Sequence, residues 1–295
     1  MTESNGYQEE GEEVTSLLTV IIDMNALAWS TEGQGSFQLA MKQLFIFINA
    51  HLALDHRHQL SIVMCSSQHA QIVFPRPPKT IEPNKDMLMD MDSDVATPQQ
   101  QQSVDPKPAT AFTDFYRIDS LLQTAIQTFN AQSSTSLEAS QVASALSLAL
   151  AYTNRMRTPE LKSRIFVLSV SQDGPAQYVS MMNCIFAAQS QGTLVDVCRI
   201  GSGSSVFLSQ ASSITGGVYL ENIKLDQLVQ HLLHIYLPDV SLRNLLCVSG
   251  NDEIDFRASC FCHKKHIDIG YVCSVCLSVY CSVQHECGTC HQRFV

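Results

Sequence analysis

The stretch Ser16–Asp23 reads SLLTVIID, a near-continuous run of aliphatic side chains that ends on a carboxylate. A run without polar alternation is typical of a strand that is covered on both faces of a sheet. Such strands belong to parallel sheets flanked by helices, so this stretch predicts the central strand of an α/β fold. We expect Asp23 to face the crevice at the carboxyl end of that sheet, where ligands of such folds bind.

Apolar segments of strand length alternate with helix-length segments from residue 14 to about residue 237, which favours a parallel α/β sheet. The other predicted strands are residues 60–66, 164–171, 193–200 and 216–220, with 71–74 as an edge partner of 60–66. The predicted helices are 37–54, 117–129, 137–152, one that starts near Pro175, 204–212, and a closing helix with apolar residues at helical spacing between Leu225 and Leu233.

The distribution of residue types divides the chain of 295 residues into segments. Residues 1–13 are acidic and predicted to be disordered, and seven of the ten prolines lie between Pro75 and Pro108, which predicts a flexible insertion at 76–110. Seven of the eleven cysteines lie in the last 36 residues. We therefore predict a sheet domain at 14–237 that contains the insertion, a linker at 238–256 and a cysteine module at 257–295.

Charge and hydropathy exclude several classes of function. The formal net charge of −10 opposes non-specific attraction to nucleic-acid phosphates and to anionic lipid. The first 13 residues contain five glutamates, no basic residue and no apolar run, so we predict no secretory signal and an intracellular protein. No segment approaches 18 uninterrupted apolar residues, so we expect no membrane span.

The cysteine spacing predicts a structural metal site, since cysteines inside the cell serve metals more often than disulfides. Cys273 and Cys276 form one C-x-x-C pair, Cys287 and Cys290 form another, and ten residues separate the pairs. Two such knuckles can present four thiolates to one tetrahedral Zn²⁺. These four residues are the principal predicted zinc ligands.

The remaining cysteines of the module, Cys260, Cys262 and Cys281, leave two arrangements open. In a cross-braced arrangement they hold a second zinc, with Gln284 or His285 beside Cys281 and with His263 as a substitute ligand in the first pair. In a zinc-ribbon arrangement, Cys260 and Cys262 instead share one metal with Cys273 and Cys276. Sequence spacing alone does not decide between them.

Five motifs in a fixed order resemble those of a von Willebrand factor A domain. They are IIDMNALAW (21–29), TSLEASQVASALSLAL (135–150), VLSVSQDG (167–174), TLVDVCRIGSGSS (193–205) and ASSITGGVYL (211–220). The resemblance implies a doubly wound α/β sheet, often with a magnesium site of the form D-x-S-x-S plus a threonine and an aspartate from two further loops. Here Asp23, Asn25, Thr135 and Asp173 occupy those positions, but Leu27 replaces a serine ligand.

Leucine has no oxygen to offer Mg²⁺, which prefers octahedral oxygen coordination, so we expect no functional cation site. Thr135 also forms a capping box with Glu138, which predicts a helix start there.

An A-type domain followed by CFCHKKHIDIGYVCSVCLSVYCSVQHECGTC (260–290) resembles the small A-domain, zinc-finger subunit of transcription factor IIH, the subunit three family. The phrases MNCIFAAQ (182–189) and GYVCSVCLSVYC (270–281) are particular to this resemblance. It implies a non-enzymatic nuclear scaffold subunit of the TFIIH core, acting in RNA polymerase II transcription initiation and nucleotide excision repair.

The resemblance also implies zinc as the cofactor and other TFIIH core subunits as partners, chiefly the larger A-domain subunit with its RING-like module. We expect no direct nucleic-acid binding. Two rival functions are a RING-type ubiquitin ligase component and a metal-dependent, ligand-binding A domain. The incomplete third cysteine pair weighs against the first rival, and Leu27 weighs against the second.

Overall fold

Six strands form one sheet, with the Ser16–Asp23 stretch in an inner strand. The computed structural model describes residues 15–33, 35–75, 111–132, 139–174, 177–201, 203–239, 242–243, 246, 258, 260–263 and 267–293. The strands are β1 (Thr15–Asp23), β2 (Gln59–Cys65), β3 (Ala70–Phe74), β4 (Leu161–Ser169), β5 (Leu194–Ile200) and β6 (Tyr219–Ile223). Their order is β3-β2-β1-β4-β5-β6. β3 runs antiparallel to β2, and every other pair is parallel.

Helices cover both faces of this sheet. They are α1 (Ala26–Thr31), α2 (Ser36–Leu54), α3 (Ala111–Gln132), α4 (Val142–Arg155), α5 (Tyr178–Gln191), α6 (Val206–Thr215) and α7 (Leu228–His231). A 3₁₀ turn at Leu225–Gln227 precedes α7 and a π turn at Leu232–Tyr236 follows it, so residues 225–236 form one closing helix. In the cysteine module, β7 (Tyr271–Val272) and β8 (Val279–Tyr280) form an antiparallel hairpin.

Side chains of β1 alternate between two separate cores. Val20 and Ile22 enter the core that contains α2, α3 and the closing helix, whereas Ile21 enters the core that contains α4, α5 and α6. This burial on both faces is the reason for the unbroken apolar run in the sequence. The predicted doubly wound α/β sheet is confirmed.

α2 is the one helix among the described residues that is long and apolar enough, by length and composition, to cross a membrane. The sequence analysis predicted a helix here but not a membrane span, because polar residues interrupt its apolar run. In the structure α2 lies on the sheet, with Leu44, Phe47 and Ile48 buried in the first core. We interpret it as a core helix of the sheet domain.

Two elements begin later in the chain than predicted. α4 begins at Val142, since residues 139–141 are not helical and the Gln141 N–H donates to the Ser66 carbonyl (2.8 Å), whereas residue 137 lies outside the described residues. α5 begins at Tyr178, close to its predicted start near Pro175, which also lies outside the described residues. β6 begins at Tyr219, because Gly216, with a φ of 77°, ends α6.

Two arginines, the buried Arg164 and the half-buried Arg243, attach the end of the sheet domain to the sheet. Arg164 of β4 donates to the carbonyls of Tyr236, Leu237 and Pro238 at the end of the closing helix. Burial lowers the pKa of Arg164 to about 10, so it remains a cation at neutral pH. Arg243, inside the predicted linker, forms a bidentate pair with Asp196 of β5, with both N–O distances at 2.7 Å. Arg243, which follows the predicted end of the sheet domain, therefore binds the sheet.

We predict that Arg243→Met destabilises the sheet domain by about 3 to 5 kcal/mol, because it leaves the carboxylate of Asp196, 1% exposed, buried without its counter-ion. Denaturant unfolding followed by the fluorescence of Trp29, the single tryptophan, measures the loss. Arg57→Met is the matched control, since its partner Asp55 is more exposed and the ion pair is screened by solvent. Equal destabilisation by the two variants would contradict a special role for the buried pair.

Candidate metal centres

The crevice at the carboxyl end of the sheet is organised around Asp23, which is buried. One carboxylate oxygen accepts from the Asn25 N–H (3.2 Å) and from the Ser140 hydroxyl (2.5 Å). The other accepts from the N–H groups of Val170 (3.2 Å) and Ser171 (2.8 Å). The protein itself therefore supplies two donors to each oxygen.

The side chains of Asn25 and Asp173, two other residues of the degenerate cation site, bind backbone and hydroxyl groups at the starts of helices. The Asn25 side-chain oxygen accepts from the N–H groups of Leu27 and Ala28 and caps α1. The Asp173 carboxylate accepts from the Ser205 hydroxyl (2.5 Å) and from the Phe207 N–H (3.2 Å) at the start of α6. Thr135 and its partner Glu138 lie outside the described residues.

Ser140 is the functional position that sequence reasoning missed. Its hydroxyl lies within hydrogen-bonding distance of Asp23 and of the Ser171 hydroxyl (2.9 Å), and its carbonyl accepts from the Gln177 side chain (2.9 Å). Hydroxyl residues are frequent in the 135–150 motif, so the sequence carried no signal that separated Ser140 from the others. Among the described residues, Asp23 belongs to no group of three or more potential metal ligands.

We predict that Asp23→Ala costs at least about 3 kcal/mol of stability, because several buried donors lose a charged acceptor. Titration calorimetry with Mg²⁺ should show no binding heat for the purified parent chain and none for the variant. Asp226→Ala, at an exposed position in the closing helix, is the control and should unfold like the parent. A magnesium dissociation constant below the millimolar range, abolished by Asp23→Ala, would overturn this interpretation.

In the cysteine module, the first cluster brings together the four principal predicted ligands, Cys273, Cys276, Cys287 and Cys290. The Sγ atoms of Cys273 and Cys290 are 3.7 Å apart, and those of Cys276 and Cys287 are 3.5 Å apart. Cys273 and Cys287 are buried, whereas Cys276 and Cys290 are half-buried. The β7–β8 hairpin places Tyr280 against this cluster, with its hydroxyl 3.2 Å from the Cys287 sulfur.

The surroundings of two thiols favour the thiolate form, which is the form that binds metals. Burial raises the pKa of Cys287, but hydrogen bonds from the Tyr280 hydroxyl and from the backbone near Cys290 outweigh it and lower the pKa to about 5. Burial also raises the pKa of Cys260, but hydrogen bonds from Cys262 and His263 lower it to about 6. In each cluster, hydrogen bonds from neighbouring groups therefore favour the thiolate form of one cysteine.

The second cluster consists of Cys260, Cys262, His263 and Cys281. The His263 Nδ1 lies 3.4 Å from the Cys281 sulfur and 3.9 Å from the Cys260 sulfur. The Cys262 and Cys281 sulfurs are 3.9 Å apart, and the Cys260 and Cys262 sulfurs are 2.9 Å apart. Apart from the buried Cys260, its members are exposed.

This second cluster bears on two alternatives that the sequence left open. Cys260 and Cys262 lie with Cys281 and not with Cys273 and Cys276, which is the grouping of the cross-braced arrangement and not that of the zinc ribbon. His263, and not His285, lies in the group around Cys281, and the Gln284 amide is 4.0 Å from the Cys262 sulfur. Because only one residue separates Cys260 from Cys262 and His263 follows directly, the two sulfurs and the imidazole lie close together.

Comparisons with known proteins agree with both parts of the chain. The sequence profile of the family described as "Transcription factor Tfb4" matches residues 15–291. The general transcription and DNA repair factor IIH subunit tfb4 of Schizosaccharomyces pombe is 34% identical over 97% of this chain and 91% of its own length. The TFB4 protein of Arabidopsis thaliana is 34% identical over 95% of this chain and 89% of its own length.

A solved structure adds the fold. The crystal structure of the TFIIH p34 N-terminal domain superposes with a TM-score of 0.58 at 26% identity, covering 76% of this chain and 98% of that one. The von Willebrand A-like fold class inferred from the motif order is confirmed. The sheet domain, the cysteine module and the length of the matches agree, and the chain belongs to the Tfb4 family of transcription factor IIH subunits.

Proposed function

We propose that this chain is a non-enzymatic structural subunit of the TFIIH core complex, located in the nucleus. In this role it holds partner subunits together during RNA polymerase II transcription initiation and nucleotide excision repair. The observation that carries the proposal is the family match over residues 15–291, which spans the sheet domain and the cysteine module together. We also propose the limits that composition gives for the sheet domain, 14–237, and for the cysteine module, 257–295. Arg243, from the predicted linker, binds Asp196 of the sheet.

The Asp23 crevice supports a structural role for the sheet domain. A ligand-binding A domain needs free oxygen ligands at this edge of the sheet, whereas the Asp23 carboxylate is saturated by donors of the protein. Asn25 and Asp173 are engaged in capping helices. Asp23, Asn25 and Asp173 thus contribute hydrogen bonds that stabilise the fold.

The proposed chief partner is the larger A-domain subunit, bound through its RING-like module, and the other core subunits complete the assembly. The net charge of −10 supports contacts with protein over contacts with DNA, because non-specific DNA affinity comes from neutralising phosphates with Lys and Arg. We propose that this subunit acts without binding nucleic acid directly.

We propose that the first cluster holds a structural Zn²⁺ and that the second cluster holds another. Thiolates around one zinc at 2.3 Å lie about 3.8 Å apart. The distances of 3.7 and 3.5 Å in the first cluster fit this geometry, whereas the Cys260–Cys262 pair must open by about 0.9 Å from 2.9 Å. Only Cys273, Tyr280 and Cys287 form a buried apolar cluster among the described residues of the module, so metal binding would supply its folding free energy.

The two clusters interleave along the chain, since Cys281 of the second lies between the two pairs of the first. The eight potential ligands are cross-braced as in a RING, but their order differs from that of a RING. Three members of the second cluster precede Cys273 and only Cys281 follows Cys276, so the third pair stays incomplete. The cross-bracing still makes a RING-type ubiquitin ligase component the second candidate function. An autoubiquitination assay with ubiquitin-activating and -conjugating enzymes tests it, and our proposal expects no ubiquitin chains above the background without the subunit.

The zinc proposal predicts two equivalents of zinc per purified chain. Cys276→Ser should remove one equivalent and unfold the cysteine module, because three ligands hold the metal too weakly to fold a segment without a core. Atomic emission of the purified protein measures zinc, and proteolysis of residues 257–295 measures folding. Cys184→Ser, the same change at a half-buried thiol of α5, is the control and should keep both equivalents. A folded module without zinc would contradict the proposal.

The partner proposal predicts that co-expression with the larger A-domain subunit raises the soluble yield of this chain severalfold. An obligate interface buries more than about 2,000 Å² and is more apolar than ordinary surface, so the unpartnered chain exposes it. Deletion of residues 76–110 should leave co-purification intact, since their proline, acidic and glutamine content offers no apolar face.

Variants test whether the partner interface lies on the sheet domain or in the insertion. Charge substitutions at exposed apolar residues of the sheet domain, such as Ile46→Asp or Phe186→Asp, are compared with the deletion and with Cys287→Ser. The partner proposal fails if the deletion abolishes co-purification while the sheet-domain substitutions and Cys287→Ser leave it unchanged.

A further inference from the structure

Four aromatic rings form a continuous row from the sheet domain to the cysteine module. Phe207 of α6 lies 5.5 Å from Tyr178 of α5, measured between ring centroids. Tyr178 meets Phe261 of the cysteine module at 5.6 Å and 89°, an edge-to-face contact. Phe261 continues to Tyr280 at 6.5 Å. We call these residues the aromatic row.

Phe261 is the residue of the cysteine module that reaches the sheet domain in this row, and it contacts or adjoins residues of both cysteine clusters. It lies between Cys260 and Cys262, two members of the second cluster. Its N–H donates to the Val279 carbonyl on β8 (2.9 Å), and its ring packs against the apolar cluster formed by Cys273, Tyr280 and Cys287. The orientation of the ring therefore depends on the geometry of the short loop that carries it.

The other end of the row is attached to the crevice of the sheet domain. Tyr178 is the first residue of α5, and the side chain of the preceding Gln177 donates to the Ser140 carbonyl. Ser140 in turn contacts Asp23. The Phe207 N–H donates to the Asp173 carboxylate (3.2 Å). The module thus contacts the carboxyl edge of the sheet, at the starts of α5 and α6.

We infer that the cysteine module docks on the carboxyl edge of the sheet domain through Phe261, and that metal in the second cluster maintains this docking. The inference rests on the proposed zinc binding and names what the second zinc does. A metal that joins Cys260, Cys262 and His263 to Cys281 fixes the loop on which Phe261 sits. Loss of that metal leaves the loop with thiol contacts and backbone hydrogen bonds, such as the one from the Cys281 N–H to the Cys260 sulfur (3.3 Å).

The docking has a consequence for partner binding. The starts of α5 and α6 lie beside the crevice, the edge at which doubly wound sheets receive ligands. When docked, the module covers the rim formed by Tyr178 and Phe207, so a partner subunit binds the sheet domain elsewhere or displaces the module.

Photo-crosslinking in the full-length chain tests the docking. Benzoylphenylalanine in place of Phe261 keeps an aromatic side chain and, on irradiation, should form crosslinks to peptides from 178–191 or 206–215. Tyr178→Ala should lower that yield about tenfold, because an edge-to-face contact and its burial are lost. Val283→Ala, at a position of the module that is 71% exposed, is the matched control and should leave the yield unchanged. Crosslinks confined to residues 258–293 would overturn the docking.

The role of the metal is tested by Cys281→Ser, which removes a ligand of the second cluster that is distant in sequence from Phe261. We expect one zinc equivalent to remain and the crosslink yield to fall about tenfold, while Cys184→Ser changes neither. A lost zinc with an unchanged yield would overturn the metal dependence. If the parent chain binds no zinc at the second cluster but still crosslinks to α5, the zinc proposal fails and the docking stands. If the parent chain binds two zinc ions but does not form that crosslink, the zinc proposal stands and the docking is wrong.

Discussion

The Asp23 carboxylate is the junction on which the architecture of the sheet domain depends. β1 lies between β2 and β4 at the point where the strand order reverses, and Asp23 is its last residue. Its carboxylate accepts hydrogen bonds from the segment after β4 and from Ser140 just before α4. One buried anion therefore joins three chain segments that are far apart in sequence. Its donors replace the solvation that burial removes.

The same edge of the sheet connects the two domains. Ser140 binds Asp23 on one side and the side chain of Gln177 on the other, and Gln177 immediately precedes Tyr178, on which Phe261 of the cysteine module packs. In an A domain that binds a ligand, this edge would be free. Here the hydrogen bonds and rings of the protein occupy it, which supports the structural role proposed above.

The amino-acid pattern predicted much of this structure. The position of β1, the antiparallel edge strand, α2 and the first metal cluster follow from apolar runs and from C-x-x-C spacing, which are local features. The start of α4 was predicted too early. Residues 139–141 are not helical, and the Gln141 N–H donates to the carbonyl of Ser66, a residue distant in sequence. The Thr135 and Glu138 capping box lies outside the described residues.

The sequence by itself determined the α/β class, the family and the presence of a cysteine module, because burial periodicity, motif order and ligand spacing are written along the chain. Only the tertiary structure decided which groups share a site. It placed Ser140 on Asp23, Arg243 on Asp196, and His263 with Cys281, pairs separated by 117, 47 and 18 residues. Each pair joins segments whose approach depends on the packing of the whole domain, so no local pattern identifies the partners.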